Sequence, residues 1–130
     1  MRTTTVWKKK HEFESRQGDN SIKLDGSKEH GFSPKALLLA GLAGCSGIDV
    51  VDILEKMRVK FSHFEIETEA TQTDDHPKVF KEVLITYKIK TDSANEEKVR
   101  KAIDLSLEKY CGVSAMLRKN SPVNYKLVIE

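Results

Sequence analysis

Only two of the 130 residues are cysteine, too few for the disulfide framework of a secreted mini-protein. The first residues, Met1-Arg2-Thr3-Thr4-Thr5-Val6-Trp7-Lys8, contain no apolar core of signal-peptide length. Nowhere does a run approach the roughly 18 apolar residues that suggest a membrane span. These absences point to a cytoplasmic protein with no membrane partner. Thiols stay reduced in that compartment, so the cysteines are better explained as catalytic, sensing or buried groups than as a permanent disulfide. Histidine is also sparse: His11, His30, His63 and His76 stand at no metal-ligand spacing from one another or from a cysteine, so no zinc or iron site is expected. Positive charge is in small excess, with a net +2, and the Lys8-Lys9-Lys10 cluster lacks interleaved aromatics and reads as a solvated strand end, so no nucleic-acid role is assigned. Internal repeats and linkers are missing too.

What is present suits one soluble domain spanning residues 1–130. Hydrophobic residues make up 38% and charged residues 32%, and a chain of this length buries roughly two-thirds of the surface it exposes when unfolded. Thr3 to Lys10, His11 to Ser15 and Ser21 to Asp25 read as an antiparallel N-terminal sheet, with Arg16-Gln17-Gly18-Asp19-Asn20 and Asp25-Gly26 as its turns. Ser33-Pro34 opens the clearest helix, Ser as cap and Pro at the first helical position, running to about Met57 or Lys60. Its first half, Ala36 to Ala43, is almost wholly apolar and is expected to be buried all round. Gly41, Gly44 and Gly47 each cost the helix about 1 kcal/mol relative to Ala, so close approach of a second helix or a partner subunit is expected there.

Two strands follow, one with Phe64, Ile66 and Thr68 on its buried face, the other containing Val83 to Ile89; His76 falls in the turn between them. A Ser93-x-x-Glu96 capping box begins a second helix that carries Val99, Ala102, Ile103, Ser106 and Tyr110 along one side and ends near Cys111-Gly112. Val113 to Lys119 adds one or two helical turns, and Val123 to Glu130 a closing strand. The order β-β-β-α-β-β-α-α-β defines an α+β domain with helices on one side of a mainly antiparallel sheet.

The thiols have unequal settings. Cys45 lies inside the long helix, where it reads either as a small packing residue or as a reactive thiol that needs a cation from elsewhere, since Asp49 at i+4 would raise its pKa. Cys111 stands at a helix start, where free N–H groups favour a thiolate, or where it is simply a cap.

At Ser33-Pro34-Lys35-Ala36-Leu37-Leu38-Leu39-Ala40-Gly41-Leu42-Ala43-Gly44-Cys45, with Glu108-Lys109-Tyr110-Cys111-Gly112-Val113-Ser114, the chain resembles the OsmC/Ohr family over nearly its whole length. The run Cys45-Ser46-Gly47-Ile48-Asp49-Val50-Val51 is more similar to its less characterised OsmC-like branch. The resemblance implies an intertwined homodimer and a thiol peroxidase acting on organic hydroperoxides. In that reading Cys45 attacks the peroxide and Cys111 resolves the sulfenic acid as a disulfide. Arg16 is the thiolate-stabilising cation, and an external dithiol such as dihydrolipoamide restores the pair, with no metal and no bound organic cofactor. Where peroxidase branches carry a Glu early in the central helix, this sequence has Lys35 and Ala36; Asp49 and Glu29 are the alternative acids.

Overall fold

The computed structural model describes residues 1–130, which fall into two compact units, Met1–Leu39 and Ala40–Glu130.

In the first unit β1 (Thr4–Lys9), β2 (Glu12–Gln17) and β3 (Asn20–Asp25) form an antiparallel sheet in chain order. Gly18, at φ +59°, lies in the turn that joins β2 to β3; only glycine takes that angle freely. Trp7, Phe13 and Leu24 are aligned across the three strands, with Ile22 two residues along on the same face. Trp7, Phe13 and Ile22 remain exposed in the single chain. Arg16 lies within β2, opposite Thr4 and Ser21, rather than in the hairpin turn expected for it; the paired strands simply extend closer to Gly18. Gly31 has no loop freedom to spare, because a Cβ there would meet the Lys23 carbonyl oxygen at 2.7 Å. The backbone passes so close because Phe32 N–H donates to that oxygen and Asp25 N–H donates to Phe32 O.

Helix α1 (Pro34–Lys56) starts at the expected Pro34 and continues into the second unit. There β4 (Phe61–Gln72) pairs antiparallel with β5 (Phe80–Thr91), and β5 pairs with β6 (Val123–Ile129) in parallel. A second three-stranded sheet therefore stands in place of the one mainly antiparallel sheet expected. The parallel pair requires a crossover, supplied by a short 3₁₀ turn Ser93–Asn95, helix α2 (Glu96–Leu105), a π turn Ser106–Tyr110 and helix α3 (Gly112–Arg118). Alternation on β4 is as read, and β5 buries Val83, Ile85, Tyr87 and Ile89. With Leu42, Val50 and Leu54 of α1 and Val99, Ala102 and Ile103 of α2, these fully buried side chains form the core.

Four further expectations are revised. The apolar first half of α1 is not buried all round, since Leu38 is 51% exposed and Ala40 and Gly41 are open as well. A Cβ on Gly41 or Gly44 would meet nothing within 4 Å, so no second helix of this chain explains those glycines. By length and mean hydropathy, 23 residues and 1.9, α1 does reach the range of a bilayer span, although its Leu42, Val50 and Leu54 are fully buried within the unit. Finally, Asp92 rather than Ser93 caps the crossover, its Oδ1 accepting from Ala94 N–H at 2.9 Å.

Candidate dithiol site

Cys45 sits in the middle of α1, half-buried, followed by Ser46 and Gly47, which are buried. Gly47 packs closely against the sheet, because a Cβ there would meet Ile66 Cδ1 on β4 at 3.0 Å. Cys111 ends the π turn, where its N–H donates to Ser106 O at 2.7 Å, five residues back. The extra residue in that turn rotates the chain, so Leu107 is buried while Tyr110, expected on the buried side of the helix, is 53% exposed.

The two thiols are neighbours. Both are free, and Cys45 is among the groups that act on the Cys111 thiol. Cys111 caps α3 as expected, with Sγ accepting from Ser114 N–H at 3.3 Å. The expected thiolate preference does not follow. Burial, to 4% exposure, pushes the Cys111 thiol up, against the Ser114 N–H that lowers it, and the Cys45 neighbour adds to the rise. In this site desolvation outweighs one backbone donor.

Beside the thiols lies a polar network that hydrophobic periodicity does not reveal. Ser46 Oγ is 2.6 Å from the Tyr87 hydroxyl, while Ser106 Oγ is 2.9 Å from Ser46 Oγ and 3.0 Å from Asp49 Oδ2. Ser46, Ser106 and Tyr87 are all fully buried. Tyr87 stacks on Phe64 at a 6.3 Å centroid distance and meets Tyr125 edge-on at 5.8 Å. Burial, the leading cause, pushes its hydroxyl up to about 12, with Cys111 and Asp49 contributing. The one signal in the sequence is a serine at position 106 on an otherwise apolar helix face, since a buried hydroxyl there requires a partner.

In the first unit, Arg16 is exposed and its Nη1 lies 3.9 Å from Glu14 Oε1. The histidine spacing gave no sign of the cluster formed by Glu12, Asp25 and His30, whose potential ligand atoms lie within 4.8 Å of one another. Asp25 is almost fully buried and organises the following loop: Oδ1 accepts from Ser27 N–H and Oγ–H, and Oδ2 from His30 N–H. These bonds, Ser27's first, lower its carboxyl to about 2.

A half-buried thiol on a central helix, with a buried thiol on a crossover as its neighbour, defines an α+β dithiol protein. The sequence model of the OsmC-like protein family matches residues 25–126, and the chain belongs to that family. Protein YhfA of Escherichia coli (strain K12) is 34% identical over 112 residues, 84% of each chain. A crystal structure of a hypothetical protein from Aquifex aeolicus VF5 superposes with a TM-score of 0.84 at 27% identity, covering 99% of this chain and 96% of that one. The organic hydroperoxide resistance protein OhrB of Bacillus subtilis shares the fold, with a TM-score of 0.66 at 21% identity, covering 97% of this chain and 96% of that one.

Proposed function

We propose that the protein is a cytoplasmic, homodimeric thiol peroxidase that reduces organic hydroperoxides. The observation that carries this reading is that a half-buried Cys45 and a buried Cys111 are neighbours, neither engaged in a disulfide. The more accessible thiol suits attack and the sheltered one suits resolution. Cys45 thiolate attacks the terminal peroxide oxygen, the O–O bond breaks, and the departing alkoxide takes a proton to become an alcohol. Cys45 is then a sulfenic acid. The Cys111 thiol gives up its proton as its sulfur attacks that of Cys45, the S–O bond breaks, and the departing hydroxide takes up a proton to leave as water. An external dithiol, dihydrolipoamide in this reading, returns two electrons and two protons. No cofactor takes part.

Arg16 is the thiolate-stabilising cation that the family resemblance assigns. Dimerisation is supported by the uncovered apolar residues of α1 and by the exposed Trp7, Phe13 and Ile22 of the first sheet, as apolar surface of that kind is usually covered by a partner. The relationship to a named hydroperoxide resistance protein supports the substrate class.

The test is turnover of cumene hydroperoxide with dihydrolipoamide. Cys45→Ser should abolish it, and one equivalent of peroxide should remove two hydrogens from the intact protein by mass. Turnover that persists in Cys45→Ser would exclude the assigned nucleophile. An unchanged mass would favour a non-catalytic dimer that binds an apolar or thiol-bearing ligand.

A further inference from the structure

The Ser46–Ser106 contact lies between the two thiols in the chain of connections, as well as near them in space. Ser46 follows Cys45 on α1. Ser106 opens the π turn, and its carbonyl accepts the N–H of Cys111 at 2.7 Å. The Ser106 hydroxyl has one proton and three acceptors within reach on α1: Ser46 Oγ at 2.9 Å, Ser46 O at 3.5 Å and, nearly one turn on, Asp49 Oδ2 at 3.0 Å. Tyr87 of β5 closes the network from the sheet, 2.6 Å from Ser46 Oγ. Cys111 is held from the other side too, its carbonyl accepting from Ser114 Oγ–H at 3.0 Å. Both cysteine-bearing segments are therefore registered by one buried set of hydroxyls. A disulfide tolerates little error, with Cβ atoms about 3.5–4.5 Å apart, whereas a helix and a turn joined only by apolar contacts can slide.

We propose that Ser106, with Ser46, Asp49 and Tyr87, is a positioning clamp that sets the Cys45–Cys111 separation and so fixes how readily the disulfide closes. None of the four need touch the peroxide. The inference refines the dithiol reading above but does not depend on hydroperoxide chemistry, so it is tested without it.

The full-length protein is equilibrated in glutathione redox buffers, and the fraction of Cys45–Cys111 disulfide is read by mass after acid quenching. In Ser106→Ala the effective concentration of the thiol pair should fall at least tenfold, a shift of about 30 mV towards easier reduction, with the circular dichroism spectrum unchanged. Tyr87→Phe, which loses one hydroxyl and keeps the ring, should lower it about threefold, and it carries the test if Ser106→Ala does not fold. In the Ser46→Ala/Ser106→Ala double variant the loss should be less than the product of the single losses, because the two share a bond. Values within twofold of wild type in every folded variant would overturn the clamp, as would failure of the wild-type protein to form the intramolecular disulfide. If the disulfide forms with the expected dependence on Ser106 but hydroperoxide leaves Cys45 unoxidised, the clamp stands and the peroxidase reading falls.

Discussion

The Tyr87 hydroxyl is a buried acid that the fold keeps protonated. Its pKa of about 12 exceeds the ordinary value of about 10, so its contribution to stability is complete below about pH 10. Between about pH 10 and about pH 12 the unfolded chain releases this proton while the folded chain retains it, and stability falls. The urea midpoint should therefore drop across that interval, and the drop should be smaller in Tyr87→Phe. An equal drop in both proteins would show that other groups govern alkaline unfolding. Residue-scale reading of the sequence identified both cysteines and the capping position of Cys111. It misjudged that thiol's acidity because burial depends on how the crossover packs, and nothing near position 111 records this.

Elements with a regular period were legible. Pro34 begins α1, β4 alternates, and α2 carries Val99, Ala102 and Ile103 inward, because each pattern repeats often enough to stand out. The π turn was not: a single extra residue between Ser106 and Cys111 breaks a period without announcing itself. The direction of β6 was equally hidden, since parallel and antiparallel partners bury the same alternate residues. For α1 the apolar run was plain but its covering was not. Ile48 is 65% exposed in one chain, so a charge placed there should cost folding less than about 0.5 kcal/mol yet disrupt a partner surface. In analytical ultracentrifugation the native protein should sediment as a dimer and Ile48→Asp as a folded monomer. An unshifted dimer would remove α1 from the interface.

Across the whole molecule, the sequence was sufficient for the α+β class, whereas the spacing of the two cysteines left open whether positions 45 and 111 are neighbours, as the fold makes them. The buried serines and Asp49 between them were not legible as a group, because their association is made only when α1, β5 and the crossover meet. Those same long-range meetings set the expected effect of oxidation. A Cys45–Cys111 bond would close a long loop, and chain entropy assigns a loop of that order about 4 kcal/mol at 25 °C. Guanidinium titrations of the oxidised and reduced forms should differ in that direction, and equal midpoints would mean that strain cancels the gain.

Because β6 pairs with β5 in parallel, residues 92–122 must cross over before the sheet is complete. Cys111 rides on that passage. In the reduced chain, docking of β6 is a distant encounter whose entropy is lost before any strand pairing compensates for it. Once Cys45 and Cys111 are joined, part of the route is already anchored to α1 and the remaining search is shorter. Oxidation would thus act as a folding aid, making β6 the strand whose refolding rate responds most to the redox state of the protein.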